Sequence, residues 1–499
     1  MKTAVISISH QRRRIVNCAV FLTCLILAGS ASAAQTAPYD SYCYDYWKDI
    51  VFTPAPYLPD FGVSGVTLGI GAFSGPQGLA VGPDGLVYIA DTGNHRVVVL
   101  TGDFSKVVYV IGTFDNAGQE DHFNAPHGVA VSGTNQLYVA DTENQRIVVL
   151  EAGELVKIIS DPQSEMLDSG FIFKPLKLAV DYADRVYVIA KGMFQGIIVF
   201  LPEGSFTGFF GTIQVKITPW EILWRAISTK AERSRQQLFI PTEFTGIDVD
   251  PDGFIYASSI DPEGKQAVRR LNPKGEDVIR KGENEHLGGD LWNDISDSPY
   301  AGPSYIVDVV YRGQGIYSLL DSRRGRIFTY DHEGNLLYIF GGLGARLGTF
   351  KQPAAIASVN DSIIVLDANR NELIVFRPTR YGGLIDEAIS LRFSGDEALA
   401  VSKWQEVLLL NENLEIANIG IGKAYLTSGD TLNAMKYLEL GKSRTYYSIA
   451  FKRYRNDMLR QNLPAILTGI CGLAAVVLAA VILRKRHKAK PGGSDAAGG

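Results

Sequence analysis

Short apolar runs and glycine-bearing turns alternate along this chain with a long period. Residues 76–100 read PQGLAVGPDGLVYIADTGNHRVVVL and residues 126–150 read PHGVAVSGTNQLYVADTENQRIVVL; the two superpose with a shift of 50 and no gap. Diverged copies begin at Pro175, Gly246, Ile306 and Pro353, which makes six units. Each opens on a short apolar segment such as Gly78-Leu79-Ala80-Val81, a strand that must be buried on both sides. A turn follows, as in Pro83-Asp84-Gly85 or Pro251-Asp252-Gly253, where glycine supplies a positive φ. Then come an alternating strand, Leu86-Val87-Tyr88-Ile89-Ala90, a second turn and a third strand at 96–100. A fourth strand is visible in places, as at 336–340. Four antiparallel strands per unit, repeated radially, make propeller blades, and a linear β-solenoid would repeat at a shorter period.

The second turn has its own chemistry. Asp91 and Arg96, Asp141 and Arg146, and Asp321 and Arg326 are each five apart. The acid can cap backbone N–H groups of the turn while the arginine returns to pair with it. Repetition marks this as a structural device, so these acids are not read as catalytic.

The pattern P-x-G-[VI]-A-V, followed by a strand ending in A-D-T-x-N-x-R-[VI], resembles the NHL repeat. Asp91-Thr92-Gly93-Asn94-His95-Arg96-Val97 carries the resemblance most fully, and it extends over about residues 60–380. The third unit departs from it, with Ala190 and Gln195 where the Asp and Arg stand elsewhere. The resemblance implies a six-bladed ring closed by strands from both ends of the domain, and the segment from about Ile50 to Gly71 is available to supply an outer strand.

Two segments change period. Between the third and fourth units, Trp220, Leu223, Trp224 and Ile227 fall on one helical face of an insertion at 219–237, with Pro219 suited to the first turn. Such a helix either packs against the propeller or docks a partner or membrane surface. Residues 395–461 show helical spacing, with breaks near Gly429 and Asp430. Ala424, Tyr425, Ala434 and Tyr437 partly match a tetratricopeptide-type hairpin, which buries a face only by stacking on a neighbour. The same combination is similar to bacterial membrane-anchored NHL proteins.

The ends place the chain in a membrane context. Arg12, Arg13 and Arg14, an apolar stretch to Ala28 and Ala31-Ser32-Ala33 read as a signal peptide over 1–33, followed by an N-terminal segment, 34–59. Residues 463–483 carry no charge and, at 1.5 Å per residue, reach about 30 Å, the thickness of a hydrocarbon core. Arg484, Lys485, Arg486, Lys488 and Lys490 open a basic tail, 484–499, while Lys452, Arg453, Arg455 and Arg460 stand on the other flank, so charge bias alone orients the span weakly. The signal peptide therefore carries the expectation that the propeller lies outside the cytoplasm, with the tail inside. The expected fold class is an all-β six-bladed propeller, 60–380, with a small α-helical hairpin annex and one C-terminal transmembrane helix.

Composition narrows the chemistry. A 46% hydrophobic and 20% charged chain can bury a large core, and a net charge of −5 gives no reason to expect nucleic acid. Of the 4 cysteines only Cys43 lies in the body, so packing rather than a disulfide holds it. Some propellers of this shape, gluconolactonase-like and amidating-lyase-like, hold a metal in the central channel. The position expected to open each innermost strand holds Gln77, His127, Leu176, Thr245, Tyr305 and Ala354, and only His127 among them is a metal ligand type. No nucleophile elbow or phosphate loop occurs. Neither a cofactor, a metal nor a catalytic residue is expected. Asp248, Asp250 and Asp308 are the acids expected nearest the channel, with Asp248 and Asp308 on inner-strand positions where the other blades carry alanine. The expectation is a binding or scaffolding module for a protein, peptide or glycan, beside a transporter or envelope complex. Gln77, His127, Thr245 and Tyr305 are its candidate contacts. The competing expectation is a metal-dependent hydrolase or lactonase.

Overall fold

Each repeat closes into a small antiparallel sheet because its middle strands are apolar on both faces and need a neighbour on either side. The computed structural model describes residues 36–162, 164, 167, 170–211, 243–261, 266–282, 287–291 and 303–488. The signal segment at 1–33, the insertion at 219–237 with Trp220, Leu223, Trp224 and Ile227, and the end of the tail lie outside the described residues.

Six blades surround a central channel. Blade 1 comprises Gly78–Val81, Val87–Asp91, Arg96–Leu100 and Val107–Ile111. Blade 2 runs through Pro126–Val131, Leu137–Asp141, Arg146–Glu151 and Glu154–Ile159. Blade 3 has Pro175–Val180, Val186–Ala190, Ile197–Phe200 and Phe206–Phe210. Blade 4 has three described strands, Phe244–Val249, Ile255–Ser259 and Val268–Leu271. Blade 5 consists of Ile306–Gly313, Ile316–Asp321, Arg326–Tyr330 and Leu336–Phe340, and the N-terminal hairpin Tyr42–Tyr44 and Ile50–Phe52 adds two strands outside them. Blade 6 takes Pro353–Val359, Ser362–Asp367 and Glu372–Pro378 from the C-terminal side and its outermost strand, Tyr57–Ser64, from the N-terminal side. That last pairing runs from Glu372 opposite Ser64 to Pro378 opposite Tyr57. The two ends of the repeat array are thus joined by one sheet, so the ring cannot open without breaking a full ladder of hydrogen bonds.

The turn acids accept from backbone N–H groups in all three turns, and in two of them the arginine returns to the acid. Asp91 accepts from Ser74 N at 2.8 Å and pairs with Arg96 Nε at 2.7 Å. Asp141 accepts from Asn124 N at 2.7 Å and pairs with Arg146 Nε at 2.8 Å. Asp321 likewise accepts from Tyr305 N at 2.8 Å and Arg323 N at 2.9 Å, but Arg326 donates to Asp40 O and Gly341 O instead. The added hairpin explains the difference: the Arg326 guanidinium lies over the Tyr42 ring, 5.1 Å from its centroid, and is drawn outward to it.

The threonine after each of the first two acids joins blades. Thr92 Oγ1 donates to Pro126 O at 2.7 Å, and Thr142 Oγ1 to Pro175 O at 2.6 Å. Both are buried bonds from one blade to the inner strand of the next.

Five helices follow the last blade among the described residues: α1 Arg380–Phe393, α2 Glu397–Leu410, α3 Glu415–Ser428, α4 Thr431–Leu440 and α5 Arg444–Lys488. Thr379, Asp396 and Asp430 cap the N-termini of α1, α2 and α4, and Gly429, at φ +86°, ends α3. The first of these helices was not anticipated from the sequence, where Gly382-Gly383 disguises it. Gly382 is needed there, because a Cβ would lie 2.1 Å from Pro56 O. Helices and propeller share one core, in which Trp404, Val407, Ala417 and Ile421 pack with Tyr57, Leu337, Phe340 and Phe376. Two polar clusters reinforce that seam. Arg312 of blade 5 pairs with Asp386 of α1 at 2.7 Å, and Asp386 accepts from Tyr338 Oη at 2.7 Å and Tyr57 Oη at 3.0 Å. Glu333, in a blade 5 turn, binds Arg392 of α1 at 3.1 Å and the buried Lys423 of α3. Helix α5 then continues into a stretch long and apolar enough to cross a membrane.

Candidate binding face and central channel

Strand direction gives the ring two unlike faces. The face on which the innermost strands begin is here the upper one. The described connections between blades at 65–77, 112–125 and 341–352 all arrive there. The lower face carries tight turns, at 82–86, 132–136, 181–185, 250–254 and 331–335. Glu372–Pro378 runs downward, so α1 starts at the lower face, and the residues that hold the helices stand there too, Arg312 at the lower end of the blade 5 inner strand and Glu333 in a lower turn.

The register of the inner strands fixes which residues are equivalent. Pro126, Pro175, Phe244, Ile306 and Pro353 each face the last residue of the second strand. The next position is therefore held by Gln77, His127, Leu176, Thr245, Val307 and Ala354. Tyr305, the residue aligned there from sequence, precedes the strand of blade 5 instead. The position after that holds Gly78, Gly128, Lys177, Gly246, Asp308 and Ala355. Glycine suits it because adjacent inner strands nearly touch: a Cβ on Gly78 would lie 2.1 Å from His127 O, and one on Gly246 2.5 Å from Asp308 Cα. Asp308 thus replaces a glycine rather than an alanine, whereas Asp248 does stand where Ala80, Ala130, Ala179 and Ala357 stand in other blades.

The sequence reading passed over Lys177, yet it is the side chain that crosses the channel. Its Nζ lies 3.1 Å from Asp308 Oδ2 and 3.2 Å from Ala354 O, so one ammonium from blade 3 reaches blades 5 and 6. A lysine where three other blades carry glycine was the signal for it. Asp308 Oδ2 also accepts from Ile356 N at 3.0 Å. Burial raises the Asp308 carboxyl above its ordinary value, and Lys177 opposes that shift. Below it, Asp248 accepts from Tyr311 N at 2.7 Å and Val249 N at 2.9 Å, and burial pushes its pKa up to about 7. The channel enclosed by the inner strands has a volume of about 220 Å³. Asp250 lies outside it, in a lower turn, paired with Arg270 at 2.8 Å.

The remaining candidate residues divide by whether their polar atoms are engaged. Thr245 Oγ1 donates to Ile306 O at 2.7 Å and also meets Ser258 Oγ at 2.9 Å, so its hydroxyl is occupied. His127 Nδ1 lies 3.0 Å from Ala125 O. A carbonyl oxygen can only accept, so Nδ1 carries the proton and Nε2 presents a lone pair. Burial lowers the pKa of this imidazole, which keeps it neutral near pH 7, and Lys177 and Lys191 act in the same direction against Glu143. Gln77 is half-buried and its carboxamide makes no hydrogen bond among the described residues. No three His, Cys, Asp or Glu side chains gather into a cation site among the described residues. A larger groove, about 1380 Å³, lies where the N-terminal hairpin, blade 5 and the helices meet, away from this mouth.

The chain carries NHL repeats, matched at residues 73–100 and 123–150. No curated protein sequence matches it. Among solved structures it is similar to virginiamycin B lyase from Staphylococcus aureus, with 11% identity and a TM-score of 0.36 over 68% of this chain and 87% of that one. Kuenenia stuttgartiensis hydrazine synthase matches at 14% identity and TM-score 0.38, over 62% of this chain and 96% of that one. A putative gluconolactonase matches at 13% identity and TM-score 0.39, over 66% and 94%.

Proposed function

We propose that this protein is an exported, membrane-anchored NHL propeller that binds a protein, peptide or glycan partner on its upper face and holds it beside a membrane complex such as a transporter. One asymmetry supports the reading. The long connections between blades that are described, at 65–77, 112–125 and 341–352, lie on the upper face, while the helices that lead to the membrane-spanning stretch leave from the lower one. Loops on a rigid scaffold are where binding concentrates. A propeller tethered from below therefore offers its loop-bearing surface away from the anchor. Gln77 and His127 stand at the centre of that surface, the Gln77 carboxamide and His127 Nε2 making no hydrogen bond among the described residues.

The test uses the full chain in its native membrane. A photo-crosslinking amino acid is placed at Gln77 on the upper face or at Tyr182, which is 72% exposed in a lower turn. Adducts with a discrete partner are expected from Gln77 and not from Tyr182. Adducts from Tyr182 alone, or from neither site, would count against an upper binding face.

A further inference from the structure

Three consecutive blades present unspent hydrogen-bonding capacity at the upper mouth of the channel. Gln77, His127 and Lys177 come from the starts of the inner strands of blades 1, 2 and 3, which pack side by side. Gln77 brings a carboxamide that makes no hydrogen bond among the described residues. His127, with Nδ1 committed to Ala125 O, brings an acceptor at Nε2. Lys177 has three N–H bonds and spends two, on Asp308 and Ala354 O, which leaves one. The same mouth holds Lys191, and Glu143 there is already paired with Lys174 at 2.7 Å.

We propose that this arc captures the C-terminal carboxylate of a peptide or protein chain. The Gln77 amide N–H and the spare Lys177 N–H supply two donors for two carboxylate oxygens, and His127 Nε2 accepts the N–H of the terminal peptide bond. Charge favours a monoanion. Asp308 already compensates Lys177, and beside Lys191 the Glu243 carboxylate accepts from Gly192 N at 3.1 Å, so the mouth has no net positive excess to hold a phosphate dianion, and a singly charged ligand is held by its hydrogen bonds. The order of donor and acceptor also selects a ligand with its own N–H beside the carboxylate. Capture of a chain terminus by convergent polar groups is a recognised mode of peptide binding. The proposal rests on the upper-face reading and adds the chemistry of what is held there.

The probe is an arrayed set of octapeptides ending in a free carboxylate, with the same set ending in a carboxamide, offered to the full-length protein in detergent micelles. A subset of free acids is expected to bind, with the matching carboxamides about tenfold weaker, the value of one lost charge-assisted hydrogen bond. His127→Ala and Gln77→Ala are each expected to weaken the free acids severalfold while leaving the thermal midpoint in place. Because Lys177→Met alone strands Asp308, its contribution is read in the paired variant Lys177→Met with Asp308→Asn, expected to bind acids and carboxamides alike. Equal affinity for acids and carboxamides in the native protein would overturn the proposal, and so would undiminished binding by His127→Ala and Gln77→Ala. If no peptide binds yet the Gln77 crosslink persists, the carboxylate assignment falls while the upper binding face stands. Binding of tetragalacturonate in place of peptides, lost in the same variants, would overturn the peptide assignment.

Discussion

Lys177 and Asp308 meet across the channel with Nζ and Oδ2 3.1 Å apart, although blade 4 stands between the blades that carry them. The contact passes over Gly246, where a side chain would strike Asp308. One ion pair therefore ties half the ring together from the inside, at the point where the inner strands converge.

Removing the cation alone should be costly. Lys177→Met leaves Asp308 buried without its counter-charge, which destabilises proteins by about 3–5 kcal/mol. The double variant Lys177→Met with Asp308→Asn should recover most of the loss. Thermal unfolding of the four proteins of this cycle checks it, and additive losses would show that the two groups do not interact.

Asp248 should give the fold a pH dependence of unusual sign. Its folded pKa, about 7, lies above the ordinary carboxyl value of 3.8, so the folded state holds the proton more tightly. Stability is then full at low pH, falls as pH rises from about 4 to about 7, and levels off above that. Asp248→Asn should remove this slope. Denaturant midpoints measured at intervals from pH 4 to pH 8 test it, and a slope unchanged in the variant would assign the effect elsewhere.

The threonine ties between blades predict a graded loss. Thr92→Val keeps the shape but leaves Pro126 O without its 2.7 Å partner, and Thr142→Val does the same to Pro175 O. Each should cost about 1–3 kcal/mol, as for a buried acceptor left unmade. The two sites share no partner, so the double variant should show the sum in its unfolding midpoint.

Glu333 should govern how firmly the helices dock. Its carboxyl is held below the ordinary value by Lys423 and Arg392 against the opposing effect of burial, so the contact persists into mildly acidic solution. Glu333→Gln leaves the buried Lys423 without its counter-charge. Amide exchange should then speed up in α1 and α3 while the middle strands of blades 1 and 2 stay protected. Uniform exchange across the chain would mean that helices and propeller unfold as a single unit.

Residues 76–100 and their copy fifty positions on contain enough to read a repeating four-strand blade, because strand alternation, turn glycines and the Asp–Arg pair are local signals. The apolar stretch after Leu463 is legible for the same reason: its meaning depends on length and composition alone. Helix α1 is not legible in the sequence because Gly382 serves a close contact with Pro56, and nothing near it in sequence announces that contact.

What the sequence determined by itself was the unit, its count and the order of the segments. Tertiary structure decided which residues face one another once the units close into a ring. It put Val307 rather than Tyr305 in line with His127, and brought Lys177 to Asp308 past an intervening blade. It also set the helices under blades 5 and 6. These relations follow from strand register and ring closure, which are fixed by hydrogen bonds and packing between residues far apart along the chain, and no local pattern encodes them.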